Sequence, residues 1–175
     1  YADYYGVVCG KKNIFFTNND TAYESAVSLN KKGIAVKGII DIREKSESPI
    51  IKEVENLGIK IYWSHTVVDT SGYRKLKQIS IMELSKDDQS VTGPKINLDC
   101  DCLGIAGGWT PAVHLFTQSG GKLKFREEDQ VFIPSKYPSQ QISIGSSNGD
   151  FELNDLIKNS STNLKKFLEI DKTDY

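Results

Sequence analysis

The stretch NIFFTNNDTAYESAVSLNKKGIAVKGIIDI, residues 13–42, decides the fold of this chain. It opens with a short apolar run, Asn13–Thr17, that predicts a buried strand. Residues 21–32 then follow the spacing of an amphipathic helix, and Gly33 is placed to end it. A second run rich in β-branched residues, 34–42, predicts a second strand. A strand, a helix and a strand at this spacing indicate a right-handed crossover in a parallel sheet.

The residues that follow extend this pattern and then change it. Apolar positions over 50–57 predict a second helix, and residues 59–63 alternate as a third strand. Residues 66–99 hold three extended runs with no helical spacing between them, which predicts an antiparallel meander, and residues 102–106 form one more core strand. The predicted fold class is α/β, a Rossmann-like three-layer domain with a parallel central sheet and an antiparallel β-meander. That arrangement resembles the NAD domain of thioredoxin-reductase-like flavoproteins.

Composition excludes several classes of partner. A net charge of -1 over 175 residues provides no general basic field for nucleic acid, and no apolar run reaches the roughly 20 residues that span a bilayer. We therefore expect neither nucleic acid nor a membrane as partner. The three cysteines, Cys9, Cys100 and Cys102, are an odd number without a disulfide framework, which favours a reduced, cytoplasmic location. Cys100 and Cys102 are expected on one face of a strand as buried thiols, and no metal site is predicted.

The turn after the first strand is where a dinucleotide-binding fold holds a pyrophosphate, because glycines let the backbone approach it and free N–H groups of the helix bind it. Residues 17–22, TNNDTA, contain no glycine, and Asp20 adds a negative charge. Thr21 and Glu24 have the spacing of a capping box, which would satisfy the helix start internally. Asp41 ends the second strand, either as a ribose-binding carboxylate or as a solvated strand end. A structural domain is favoured over a retained nucleotide site.

The last third of the chain predicts a small hairpin, a final strand over residues 141–145 and a final helix over residues 151–170. The connection GSSNGD, residues 145–150, places small residues where an anion would meet a helix N-terminus, although Asp150 would oppose it. The alternative is a tight connection that uses glycine for backbone freedom. No Ser, Cys or acid is spaced for a triad with either histidine, so no catalytic residue is predicted.

Two segments carry a family resemblance. Residues 16–23, FTNNDTAY, and residues 103–123, LGIAGGWTPAVHLFTQSGGKL, together resemble the α subunit of heterotetrameric sarcosine oxidase. That subunit is much longer, with two dinucleotide folds arranged as in thioredoxin reductase and a folate-binding domain. The resemblance implies that the chain is a fragment. Residues 10–108 would be the Rossmann-like inserted fold, and residues 109–175 the returning half of the adjacent dinucleotide-binding domain.

The resemblance also implies a function. The complete enzyme oxidatively demethylates sarcosine to glycine, produces hydrogen peroxide and passes the one-carbon unit to tetrahydrofolate, with flavins held elsewhere in the complex. The α subunit holds an NAD on the first fold, so the expected cofactor contacts in this chain are Gly145, Ser146, Phe151 and Leu153. We expect this region to be structural, to support NAD binding and to be inactive when isolated. Its partners would be the other subunits of the tetramer and the missing domains of its own subunit.

Two other interpretations remain. One is an NAD(P)H-binding domain of a thioredoxin-reductase-like enzyme, which would need the glycine turn together with a redox Cys-x-x-Cys or a flavin-binding half. The other is a subunit of a proline or opine dehydrogenase complex, since these share the α-subunit architecture. The run GGWTPAVHL, residues 107–115, favours sarcosine oxidase.

Overall fold

The computed structural model describes residues 1–87, 89–127, 131–138 and 141–170. The chain divides into two compact units, Tyr1–Gly108 and Trp109–Tyr175. The first unit contains, in chain order, α1 (Ala2–Tyr5), β1 (Asn13–Thr17), α2 (Thr21–Lys31), β2 (Val36–Asp41), α3 (Pro49–Asn56), β3 (Ile61–Trp63), β4 (His65–Ser71), β5 (Gln78–Leu84), β6 (Val91–Asp99) and β7 (Cys102–Ala106).

The centre of the first unit is a four-stranded parallel sheet in the order β3-β2-β1-β7. The helices α2 and α3 are the crossovers that keep β1, β2 and β3 parallel. The strands β4, β5 and β6 form a separate antiparallel sheet, which is the predicted meander. The predicted α/β class, with a parallel sheet and an antiparallel meander, is therefore confirmed.

Each face of the parallel sheet buries its own apolar cluster. On the helix side, Tyr23 and Ala26 of α2 pack with Ile51 and Val54 of α3 against Ile39 of β2. The helical spacing of these side chains is what the sequence pattern predicted, and it turns one stripe of each helix inward. On the meander side, a second cluster joins the sheet to β5; its buried members are Ile14, Ile40, Ile79, Ile81 and Cys100.

Cys100 and Cys102 do not share a strand as the sequence predicted. Cys100 lies between β6 and β7, where its N–H donates to the carbonyl oxygen of Lys77 at 3.1 Å. The N–H of Asp101 instead donates to the carbonyl oxygen of Lys12 at 3.1 Å. The chain therefore leaves the meander and enters the parallel sheet between these two residues. This change of sheet separates a buried Cys100 from a half-buried Cys102.

The second unit contains α4 (His114–Gln118), β8 (Lys122–Arg126), β9 (Val131–Lys136), a 3₁₀ helix (Gly145–Asn148) and α5 (Leu153–Ile170). The strands β8 and β9 pair antiparallel, as the predicted hairpin requires. The strand predicted over residues 141–145 is wrong. Gly145 has φ of 67°, which is incompatible with an extended strand, and the Ser147 hydroxyl donates to the carbonyl oxygen of Ile144 at 2.8 Å.

No helix among the described residues combines the length and the apolar character needed to cross a membrane.

Candidate functional site

The carboxyl ends of β1, β2 and β7 meet at one edge of the parallel sheet. Thr17 of β1 is in register with Asp41 of β2 on one side and with Ala106 of β7 on the other. Open α/β sheets bind their ligands outside this edge, at the point where the order of the strands reverses. The edge is therefore the first candidate site, and its side chains decide whether a phosphate can enter.

Side chains of the β1–α2 turn fill the space that glycine would leave open. The amide nitrogen of Asn19 donates to the carbonyl oxygen of Ala106 at 3.3 Å, and that of Asn18 donates to Gly107 at 3.4 Å. The Thr17 hydroxyl accepts from the backbone N–H of Asn19 at 3.1 Å. These bonds tie the turn to the end of β7 and leave a hollow of about 110 Å³ at this edge. Ligand pockets typically measure roughly 300–1,000 Å³, so this hollow is smaller than a typical ligand pocket.

The helix start is satisfied by Asn19 and not by the predicted capping box. Asp20 is the N-cap residue, and no side chain caps α2 in the Thr21–Glu24 pattern. Instead Oδ1 of Asn19 accepts from the backbone N–H of Thr21 at 3.0 Å, and the Asp20 carbonyl oxygen accepts from Tyr23 at 3.0 Å. Two of the N–H groups that could hold a phosphate at the start of α2, those of Thr21 and Tyr23, are thus already bonded within the chain.

Asp41 is neither a ribose-binding carboxylate nor a solvated strand end. It is fully buried, and Oδ2 accepts from the Tyr23 hydroxyl at 2.8 Å and from Nη2 of Arg43 at 2.8 Å. Its Oδ1 accepts from the backbone N–H of Arg43 at 2.9 Å. Burial of a carboxylate is tolerated only when charge and hydrogen bonds compensate it, and these bonds provide both. The carboxylate is therefore committed to the protein itself.

Arg43 links this buried carboxylate to the start of α2. Its Nη2 also pairs with Oδ1 of Asp20 at 2.8 Å. Hydrogen bonding to Asp41 is the main cause that raises the pKa of Arg43, and burial is the main cause that raises the pKa of Tyr23. Two carboxylates and one guanidinium leave this edge with net negative charge, which repels a phosphate. The Asp41–Arg43–Asp20 network therefore joins the carboxyl end of β2 to the start of α2 through the protein's own charges.

Sequence reasoning missed Tyr23, Arg43 and Asn19 as site residues. An arginine two residues after an acidic strand end is a usable signal for Arg43, since its side chain can fold back onto the strand. The ring of Tyr23 lies in the apolar cluster at a core position of α2. Nothing in the sequence pattern indicates that its hydroxyl reaches Asp41, 18 residues away along the chain.

The second candidate site is the turn over residues 145–153 in the second unit, which contains the four predicted cofactor contacts. Gly145 is buried, Ser146 is exposed and Phe151 is half-buried, while Leu153 begins α5 with 68% of its surface exposed. The turn is anchored where Nη2 of Arg126 donates to the carbonyl oxygen of Gly149 at 2.9 Å. The four residues thus lie along one short connection, and their role as cofactor contacts stays a prediction.

Asp150, in this second turn, has one carboxylate oxygen that is hydrogen-bonded and one that is not. Its Oδ1 accepts from Nδ2 of Asn159 at 3.2 Å, which fixes the carboxylate against α5. Its Oδ2 is buried and has no hydrogen-bond partner among the described residues. A buried acceptor left without a donor is costly, and such atoms in native proteins are accounted for by a water, an ion or a ligand. The geometry therefore opposes a phosphate here but suits a hydroxyl donor.

The two histidines are placed as packing or surface groups. Nδ1 of His65 lies 2.6 Å from the carbonyl oxygen of Trp63, and its ring meets Tyr62 edge-on. His114 is exposed at the start of α4. In the part of the chain that the structure describes, no three His, Cys, Asp or Glu side chains are grouped so as to hold a metal ion.

Comparison with solved structures defines the class of fold, that of flavoprotein disulfide reductases. T. acidophilum thioredoxin reductase superposes with a TM-score of 0.52 at 17% identity, covering 79% of this chain and 47% of that protein. The bacillithiol disulfide reductase Bdr from Bacillus cereus gives 0.58 at 15% identity, covering 79% and 42%. The E. coli flavoprotein disulfide reductase RclA gives 0.58 at 15% identity, covering 87% and 34%. At these identities the likeness concerns the fold alone.

Comparison of sequences is more specific, and it confirms the predicted resemblance. Over 154 residues the chain is 30% identical to the sarcosine oxidase α subunit of Corynebacterium sp. strain P-1, and over 149 residues 26% identical to that of strain U-96. The α subunit from Rhizobium meliloti strain 1021 is 29% identical over 139 residues. The matches cover 87%, 85% and 76% of this chain but only 16%, 15% and 12% of the relatives. The chain is therefore similar to one segment of sarcosine oxidase α subunits. No protein-family model matches it.

Proposed function

We propose that this chain is a scaffold and cofactor-supporting segment of a sarcosine-oxidase-type α subunit, without a catalytic centre of its own. Residues 10–108 would be the second, inserted dinucleotide-type fold, and residues 109–175 the returning half of the first. The observation that carries the proposal is the Asp41–Arg43–Asp20 network, because it fills the strand edge with the protein's own charges. The first unit would thus have the architecture of a dinucleotide-binding fold without a nucleotide site, and its role would be that of a scaffold.

The second unit would support an NAD held mainly by the adjacent fold. Asp150 supports this role, since its buried Oδ2 needs a donor and a ribose hydroxyl is such a donor. Gly145 allows a close backbone approach, Ser146 offers an exposed hydroxyl, and Phe151 and Leu153 offer apolar surface. NAD brings a nicotinamide that can accept a hydride. The residues of this chain would only bind and orient the cofactor.

The parent enzyme would be an oxidoreductase that demethylates sarcosine to glycine, releases hydrogen peroxide and transfers the one-carbon unit to tetrahydrofolate. The similarity to sarcosine oxidase α subunits supports this assignment. The flavins would lie in the complete complex and outside this segment. Partner subunits and the remaining domains of the α subunit would complete it in the cytoplasm.

Calorimetric titration of NAD tests the cofactor role in two steps. For the 175-residue chain we expect a Kd weaker than about 100 µM, or roughly -5.5 kcal/mol, because the main site is elsewhere. In the complete α subunit, Asp150→Asn should lower the NAD content, whereas Asp155→Asn, exposed in the first turn of α5, should not. Low-micromolar binding by the short chain, or equal NAD content in both variants, would contradict the proposal.

The substrate is tested with the complete complex, assayed for hydrogen peroxide with sarcosine, proline and opines in parallel. Turnover of sarcosine above the other substrates is expected. Preference for proline or an opine would instead assign the chain to the related dehydrogenase complexes. The isolated chain should show no sarcosine oxidation.

A further inference from the structure

Two thiols of the first unit, those of Cys9 and Cys102, line the same hollow. Cys9 is exposed and Cys102, the first residue of β7, is half-buried. Both line one hollow of about 290 Å³, between residues 1–9, α2 and the strands β1 and β7. Cys100 packs into the apolar cluster on the meander side of the sheet. The first two thiols are therefore accessible from a common space.

Three hydrogen bonds, two of them accepted by a side-chain carboxylate, hold the segment before β1 against the start of β7. The N–H groups of Lys11 and Lys12 donate to the two carboxylate oxygens of Asp101 at 3.1 Å and 2.7 Å. The N–H of Asp101 donates back to the carbonyl oxygen of Lys12 at 3.1 Å. Because Asp101 immediately precedes Cys102, these bonds bring the segment that carries Cys9 to that thiol.

The approach between the two segments is closest at Gly10. A Cβ atom placed on Gly10 would lie 2.4 Å from Cβ of Cys102, so only glycine allows the backbone to pass here. The α-carbon of Cys9 is one residue away, about 3.8 Å along the chain. Disulfides form when the α-carbons lie about 4.4–6.8 Å apart, which this approach permits. The charge of Cys9 also raises the pKa of the Cys102 thiol, after the larger effect of burial.

We propose that Cys9 and Cys102 are a redox-active dithiol, which a hydroperoxide oxidises to an intramolecular disulfide. The thiolate of Cys9, the exposed member, attacks the distal peroxide oxygen, which gives a sulfenic acid and releases an alcohol, or water from hydrogen peroxide. The Cys102 sulfur then attacks the Cys9 sulfur, the S–O bond breaks, and the hydroxyl leaves as water with the Cys102 proton. The two sulfurs lose two electrons, and the peroxide gains them. A small thiol reverses the reaction by exchange.

The oxidised form differs from the reduced form in one mechanical respect. A bond from Cys9 to Cys102 ties residues 1–9 covalently to β7, whereas in the reduced form the Asp101 carboxylate holds only the following residues Lys11 and Lys12 by hydrogen bonds. The modification site is independent of the proposed NAD contacts, since it lies wholly in the first unit.

The test treats the 175-residue chain with a modest excess of hydrogen peroxide and follows it by intact mass and by peptide mapping without reductant. We expect loss of the mass of two hydrogen atoms, one linked peptide pair containing Cys9 and Cys102, and full reversal by dithiothreitol. Cys100→Ser is the matched control and should behave like the parent. Cys9→Ser and Cys102→Ser should lose the linked pair.

Other products would overturn the proposal. These are a pair that contains Cys100, dimers linked through Cys9, or Cys9 oxidised to sulfinic acid while Cys102 stays free. Mapping of the unsubstituted chain gives this answer even if a serine variant fails to fold. Circular dichroism of each variant identifies such a failure.

Discussion

The hydroxyl of Tyr23 donates a hydrogen bond of 2.8 Å to Oδ2 of Asp41, and both side chains are fully buried. The bond joins the first turn of α2 to the carboxyl end of β2. Arg43 completes the arrangement by binding both oxygens of the same carboxylate. In related folds the carboxyl ends of the strands face a ligand. Here the polar side chains at this end bond to one another, so we expect substitutions there to lower the stability of the fold.

Arg43→Met should destabilise the first unit by about 2–3 kcal/mol, because it leaves a buried Asp41 without its countercharge. The value lies below the full cost of breaking a buried ion pair, since the Arg43 side chain is 31% exposed. Urea unfolding followed by tryptophan fluorescence measures the change. Lys37→Met, at an exposed position of β2, is the control and should change stability by less than about 0.5 kcal/mol. Equal effects in both variants would show that the network contributes little.

Tyr23→Phe should cost about 1–2 kcal/mol at neutral pH, because it removes a hydrogen bond to a charged acceptor. It should also change the alkaline limb of the stability curve. The pKa of Tyr23 is raised above its ordinary value of 10.0, so the folded state keeps a proton that the unfolded chain loses. The stabilisation that Tyr23 provides is therefore independent of pH below pH 10.0 and is lost progressively as the pH rises above it.

The measurement is the free energy of unfolding across the alkaline range for the parent, Tyr23→Phe and Tyr73→Phe. Tyr73 is 80% exposed and serves as the matched control. The slope above pH 10.0 should become shallower only in Tyr23→Phe. An unchanged slope would mean that the Tyr23 proton is not held by the folded state.

The sequence predicted those parts of the fold that depend on local periodicity. The spacing of Ala22, Tyr23 and Ala26 predicted α2 because a helix turns such positions to one side, and these residues are buried. The hairpin β8–β9 and the meander followed from alternation and turn residues in the same way. The prediction of a strand over residues 141–145 was wrong because Gly145 has a left-handed backbone conformation. That conformation depends on the tertiary structure, and the alternation of apolar residues does not indicate it.

The candidate site was less predictable than the fold, because its bonds join residues far apart in the chain. The lack of glycine over residues 17–22 indicated a poor phosphate turn, but not that Asn19 would bond to Ala106. Asp41 has the position of a ribose-binding residue, and only the folded-back Arg43 shows that its charge is already used. The absence of glycine from a turn is visible in the sequence itself. The hydrogen bonds that compensate the buried Asp41 carboxylate come from Tyr23 and Arg43, and the sequence does not show that these side chains meet.

Asn19→Ala should destabilise the first unit by about 1 kcal/mol, within the range for loss of a helix-capping side chain. The substitution removes the acceptor of the Thr21 N–H and the donor to Ala106. Asn56→Ala, at the exposed last residue of α3, is the control and should be nearly neutral. Thermal unfolding of the two variants makes the comparison. A smaller loss in Asn19→Ala than in Asn56→Ala would contradict the assigned capping role.

Asp101→Asn should make the first unit less sensitive to acid. The N–H groups of Lys12 and Lys11 lower the pKa of the Asp101 carboxyl below its ordinary value of 3.8. The folded state therefore stays ionised where the unfolded chain takes up a proton, so this stabilisation is present above pH 3.8 and is lost as the pH falls further. NMR titration of the carboxyl carbon gives the midpoint directly. Asp99→Asn is the control, and a midpoint for Asp101 above 3.8 would contradict the prediction.

Gly149→Ala should destabilise the second unit more than Gly120→Ala. Both glycines have positive φ, 83° and 92°, so each alanine carries a similar backbone strain of roughly 1 kcal/mol. They differ in their surroundings: a Cβ at Gly149 would lie 2.9 Å from Cγ2 of Ile133 and 3.0 Å from Nη2 of Arg126, while nothing lies within 4 Å at Gly120.

The difference between the two variants isolates that crowding, which should add about 1–3 kcal/mol at Gly149. Because Arg126 donates to the carbonyl oxygen of Gly149, its displacement should also loosen the turn that carries Ser146 and Phe151. Hydrogen exchange of the amides over residues 145–153 should accelerate in Gly149→Ala and stay unchanged in Gly120→Ala. Equal stability and equal exchange in the two variants would mean that the turn is not anchored through Arg126.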